Sequence, residues 1–178
     1  MKITLEQLAT ATGADKSLAK AFLNAVNVAI EAHGIKTPAR VCAFLAQIGH
    51  ESGGLRYTRE LWGPTHAQQG YEGRHDLGNN HVGDGFKFRG RGLIQITGRT
   101  NYERMGKLLG IDLIANPDLL ETLSTAAMSA AAWWEAHGLN GLADAGSFDA
   151  ITRVINGGTN GAAQRRELWA KAKAAIHE

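Results

Sequence analysis

With a single cysteine, Cys42, this chain cannot close an internal disulfide, which excludes a small secreted scaffold held by such bonds. At 178 residues it is long enough to bury most of its apolar surface without staples. Long apolar runs are also lacking. The opening MKITLEQLAT has one lysine and no signal-peptide core, and no later segment approaches the ~20 apolar residues that span a bilayer. Charge of one sign is scarce: a net +2 slightly favours an anionic polymer and falls short of the dense basic face of a nucleic-acid binder. His66, His75 and His81 with Asp76 and Asp84 match no compact ligand spacing, so neither a metal nor another cofactor is expected. Cys42 and His50 lie eight residues apart with no third member nearby, which argues against a thiol nucleophile.

What the chain does have is helical patterning. Thr4 and Gln7 form a capping-box pattern, Gly13 closes the first helix, and a second is predicted over 15–33 with Leu18, Phe22, Val26 and Ile30 inward. Thr37 and Pro38 then read as an N-cap and a first helical position, and Val41, Phe44, Leu45 and Ile48 bury one face of the helix that follows. This helix ends in Glu51, and Gly53 and Gly54 break it before Glu60. On the helical wheel Glu51 falls at the margin of the apolar stripe beside Phe44, with His50 on the solvent side. Partial burial and the negative end of the helix dipole both disfavour an ionised Glu51, which suits a general acid. A surface pairing with Arg56 or Arg59 explains the same position without chemistry.

Residues 63–92 are polar, rich in glycine and asparagine, and have no helical period, as expected of a loop that walls a cleft. Phe86 and Phe88 alternate with Lys87 and Arg89, which predicts a short hairpin over 86–96. The Arg89 to Gly92 run RGRG reads as a tight turn beside that cleft more readily than as a nucleic-acid segment. Thr100 and Glu103 suggest a second capping box, 124–137 an alanine-rich buried helix carrying Trp133 and Trp134, and Ser147 the cap of a helix that breaks at INGGTNG. The last helix is expected over 162–176.

These segments together resemble the family 19 glycoside hydrolases, a group of chitinases and bacteriophage lysis enzymes, over about 41–166. FLAQIGHESGG is similar to the segment ending in the family's catalytic acid, which places that role on Glu51 and the second carboxylate on Glu60. FRGRGLIQITGRTNY resembles the cleft-lining segment and implies that Gln95, Thr97, Asn101 and Tyr102 hold sugar, with Thr97 orienting the attacking water. INGG implies a substrate-contacting amide on Asn156, and Arg165 lies where a cleft arginine is expected. Only nine positions separate the two acids, as in the phage and prophage lysis enzymes of the family, whereas the plant chitinases space them further apart.

The resemblance implies a mainly α, lysozyme-like, two-lobed domain with a small β-hairpin or short sheet beside the cleft. The whole of 1–178 is expected to be a single catalytic domain with no separate wall-binding module. Its implied activity is that of an endolysin that hydrolyses β-1,4 bonds of peptidoglycan with inversion, Glu51 as acid and Glu60 as base, and with Glu72 the next candidate base. A chitinase of the same family and a non-catalytic wall-binding module are the alternatives. A monomer is expected, with peptidoglycan as its partner, no nucleic acid and no stable membrane insertion, made in the host cytoplasm without a signal peptide and acting at the wall after release.

Overall fold

A computed structural model describes residues 1–176. Its helices are α1 (Leu5–Thr12), α2 (Lys16–Ala32), α3 (Pro38–Glu51), α4 (His66–Gln69), α5 (Asp84–Lys87), α6 (Arg99–Leu109), α7 (Leu123–Ala136), α8 (Leu139–Asp144), α9 (Phe148–Asn156) and α10 (Ala162–Ala175). Two 3₁₀ turns, His75–Leu77 and Pro117–Glu121, complete the regular structure.

Local chemistry sets the first three helix starts as the sequence suggests, whereas Ser147 stands at the N-cap position of α9 without a side-chain cap bond. Gln7 N donates to Thr4 Oγ1 at 3.2 Å and Thr4 N to Gln7 Oε1 at 2.9 Å, a reciprocal capping box. Asp15 caps α2 through Leu18 N, and Thr37 caps α3 with Pro38 at the first helical position. Thr100 behaves differently: α6 starts at Arg99, behind Gly98 at φ 91°, and Thr100 lies within its first turn. The Arg99 N–H is satisfied from a distance by Asn79 Oδ1 at 2.9 Å, so a tertiary contact replaces the local cap.

The expected strand at Phe86 to Arg89 is instead the end of a helical turn, because α5 covers Asp84–Lys87. Phe88 is buried and Phe86 exposed, so the alternation reports two sides of a helix end rather than a pleat. The hairpin contracts to single antiparallel bridges, Arg59 with Arg91 and Arg91 with Ile96.

Two apolar clusters give the chain its two lobes. The larger is built from α1, α2, α3, α7, α8, α9 and α10, and the smaller from Phe88, Ile96, Tyr102, Met105, Leu113, Leu120 and Ala132. Ile94 and Trp133 pack against both and form the seam between them. Helix α3 is buried all round from Val41 to Gly49, not on one stripe, because α1, α8 and α10 all pack on it. Its small residues permit this: a Cβ on Gly49 would stand 2.5 Å from Thr12 O of α1. No described helix is long and apolar enough to cross a membrane.

Candidate active site

Glu51 closes α3 with its side chain 20% exposed. Its partner is Arg165 of α10, not Arg56 or Arg59: Nη2 of this arginine donates to Glu51 Oε1. Arg165 is 2% exposed and fully engaged, with Nη1 on Gln47 Oε1 at 2.6 Å and Nε on Asn160 O at 3.3 Å. Gln47, one turn before Glu51 on α3 and 0% exposed, donates in turn to Thr152 Oγ1 of α9 at 2.9 Å. Three helices thus fix one carboxylate.

His50 does not face solvent as its place on the wheel suggests. It is half-buried beneath Gly161, where a Cβ would come within 2.3 Å of the ring. Its Nδ1 has no hydrogen-bond partner among the described residues. Burial, then the Arg165 charge, push the imidazole below its usual range, with Glu51 and Gln164 opposing.

Glu60 belongs to the other lobe. Its backbone N–H donates to Gly90 O at 2.8 Å, and its Oε2 accepts from Gly90 N at 3.1 Å, so the RGRG turn grips it through main chain and side chain together. Tyr71 Oη donates to Glu60 Oε1 at 3.3 Å. Burial, and then the Glu60 charge, raise the Tyr71 phenol above its usual value, which keeps it a donor. Glu72, the other candidate base, is committed elsewhere: its carboxylate accepts from Gly83 N at 2.6 Å and Gly85 N at 2.9 Å, tying the start of α5.

Between the lobes lies a cavity of about 410 Å³, lined by Gln95, Thr97, Asn101, Arg104, Trp133 and Ile155 among others. Gln95 holds φ 56°, the left-handed region that few non-glycine residues adopt, so strain concentrates at the cleft. Thr97 Oγ1 donates to Gln95 O at 3.0 Å, and Asn101 Nδ2 to Thr97 O at 2.7 Å. Gly90 joins this group to Glu60. A Cβ there would stand 2.7 Å from Gln95 Oε1, 3.3 Å from Thr97 Oγ1 and 3.4 Å from Glu60 Oε2. Asn156, beside Ile155, donates Nδ2 to Asn160 O, the carbonyl that also receives Arg165.

Two residues expected to hold sugar are corrected. Tyr102 is wholly buried: its hydroxyl donates to Arg89 O at 2.5 Å and accepts from Arg91 Nη1 at 2.9 Å, and burial pushes its phenol up to about 12. It supports the RGRG turn from below. Arg165 is likewise sealed from the cleft and acts on Glu51. Sequence reasoning missed Gln47, Thr152 and Tyr71, whose site contacts are distant along the chain, and Asn160, whose carbonyl meets Asn156 and Arg165 four and five positions away. Trp134 is core, edge-on to Phe44, whereas Trp133 reaches the cavity and stacks on His137 at 3.7 Å.

Asp84, one of the residues weighed for metal, has both carboxylate oxygens on Arg99, at 2.8 and 2.6 Å. Among the described residues no three His, Cys, Asp or Glu side chains gather as a metal site would require.

The family described as Chitinase class I, glycoside hydrolase family 19, matches residues 12–141. A glycosyl hydrolase family 19 domain-containing protein of Haemophilus influenzae is 35% identical, over 84% of this chain and 86% of its own. The endochitinase At2g43610 of Arabidopsis thaliana is 32% identical over 78% of this chain, which spans about half (47%) of the plant protein's length. Chitinase C from Streptomyces griseus superposes with a TM-score of 0.75 at 24% identity, covering 98% of this chain and 76% of that one, a likeness of fold.

Proposed function

Since the chain belongs to glycoside hydrolase family 19, we propose that it cleaves β-1,4 glycosidic bonds of bacterial peptidoglycan with inversion, Glu51 acting as general acid and Glu60 as general base. The observation that carries this reading is the pair of held carboxylates, Glu51 on Arg165 and Glu60 on the Gly90 turn, which abuts Gln95 and Thr97 of the cavity wall.

The hydrogen bonds suggest a division of labour. Arg165 occupies Glu51 Oε1, leaving Oε2 to carry a proton to the glycosidic oxygen. Glu60 takes the proton of the attacking water, while Tyr71 and the Gly90 N–H hold the carboxylate in place. Thr97 has given its hydroxyl hydrogen to Gln95 O, so towards that water it can only accept. Two acceptors, Glu60 and Thr97, thereby direct both water hydrogens away from the sugar and turn a lone pair on the anomeric carbon. Gln95, Asn101 and Asn156 supply the amides that position the chain, and Glu51 is orientated by Arg165.

Peptidoglycan is favoured over chitin by the nine-residue spacing of the acids. Chitin is the second reading, supported by the plant relatives described as endochitinases. Reducing-end release and mass spectrometry of digested muropeptides decide between them: new ends on purified peptidoglycan, absent with Glu51→Gln, are expected. Turnover of chitin alone would move the substrate to the second reading, and binding without turnover of either would make the chain a wall-binding module. A host-lysis role follows from the first outcome and is read as clearing of permeabilised cells.

A further inference from the structure

We propose that Arg104 forms an acidic-group subsite of the cleft, taking a carboxylate carried by the muramyl residues of the glycan and so setting a preference for acidic over neutral polymer. This rests on the peptidoglycan reading above.

Asn101, Arg104, Met105 and Leu108 occupy positions i, i+3, i+4 and i+7 of α6, one helix face, and all four line the cavity. The apolar members suit the C–H faces of a sugar, and the Asn101 and Gln95 amides suit its hydroxyl and acetamido groups. A neutral sugar leaves the guanidinium without a counterpart. The described residues supply none either: among them Arg104, which is exposed, makes no ion pair, and no carboxylate lines the cavity. Its neighbour Glu103 is taken by Lys107 at 2.7 Å.

Most other arginines are neutralised. Arg40, Arg59, Arg74, Arg91, Arg99, Arg165 and Arg166 each meet an aspartate or glutamate. An uncompensated planar guanidinium in a cleft is a two-pronged donor for a carboxylate. The second titratable group lining the cavity, His137, is turned towards its own helix. Its Nδ1 lies 2.7 Å from Trp133 O, a pure acceptor, so Nδ1 bears a hydrogen. Arg104 is the one arginine or lysine among the residues that line the cavity.

Every second sugar of peptidoglycan carries a lactyl ether whose carboxyl is either free or amide-linked to a peptide bearing carboxylates of its own, whereas chitin carries none. The shared chemistry is a carboxylate held beside alternate rings. The test uses Glu51→Gln protein, so that binding is read without turnover, against chitotetraose, intact peptidoglycan fragments, and glycan strands stripped of peptides by an amidase. The acidic strands are expected to bind roughly tenfold more tightly than chitotetraose, as a charge-assisted pair allows, and the margin should shrink as salt rises.

Adding Arg104→Gln should bring that ratio close to one, while Arg104→Lys keeps part of it. Dependence on Arg104 with stripped strands identifies the lactyl carboxylate, and dependence with intact fragments alone identifies the peptide; both outcomes uphold the subsite. An undiminished preference in the Arg104→Gln protein, or none in its parent, overturns it. Peptidoglycan turnover by the wild type is scored separately. Turnover without Arg104 dependence sinks this inference alone, and acidic preference without turnover sinks the peptidoglycan-hydrolase reading alone.

Discussion

The side-chain oxygen of Gln47 accepts Arg165 Nη1 at 2.6 Å, and the same guanidinium reaches Glu51 through Nη2. One fully buried amide therefore aims the partner of the proposed acid. A planar guanidinium anchored at Nη1 has little freedom left at Nη2, so the position of Glu51 Oε1 is set two contacts away, by Gln47 and the Thr152 hydroxyl to which it donates.

Gln47→Leu leaves buried Arg165 and Thr152 groups unpaired, so it should cost about 1–3 kcal/mol of stability. It should also lower kcat more than KM, because the acid loses its aim while the cleft surface is untouched. Urea unfolding together with steady-state kinetics checks both. An equal stability loss with unchanged kcat would leave Gln47 a packing residue only.

Removing the proton donor itself should act on chemistry alone. Glu51→Gln keeps the shape and can still meet Arg165, yet delivers no proton, and should reduce turnover by about 10² to 10⁴ with the fold intact. Glu60→Gln should behave likewise, since an amide cannot take a proton from water. The anomer released by wild type, read by NMR early in the reaction, should be inverted.

Much of this was legible in the sequence, and what was not has a common cause. Thr37, Pro38 and the capping box at Thr4 and Gln7 act within one turn, so their residue types announce them. Gln95 and Thr97 are singled out by their motif, and both line the cavity. Tyr102 was misplaced because its motif says only that it is near the cleft, while its burial depends on Arg91, Asp118 and Glu121 closing beneath the turn. The α6 cap failed in the same way: Asn79, twenty positions upstream of Arg99, outcompetes a local pattern at Thr100. Contacts remote along the chain leave no periodic trace.

Asp84 ties the loop lobe to α6 and should give stability a distinctive acid limb. The Arg99 hydrogen bonds, aided by His81 N and opposed by burial, hold its carboxyl from 3.8 down to about 2. A depressed folded value means the stabilisation is fully present above the unfolded value and is lost as pH falls through about 2. It amounts to about 2 kcal/mol. The stability difference between wild type and Asp84→Asn should therefore be near that size at pH 5 to 7 and vanish towards pH 2. A difference independent of pH would mean that shape, not charge, holds the loop.

Gly90→Ala offers the sharpest separation of site from scaffold. Gly90 is not among the residues of positive φ, so alanine meets no backbone strain there. The added methyl would meet Gln95 Oε1 at 2.7 Å, the end of a long side chain, which can turn away at the cost of the single bond from its Nε2 to Gly92 O. Its other neighbours are Thr97 Oγ1 and Glu60 Oε2, between which the attacking water is proposed to sit. Stability should then fall by less than about 1 kcal/mol, while turnover drops at least tenfold. A variant that keeps full turnover would show that the water approaches from a direction this turn does not wall.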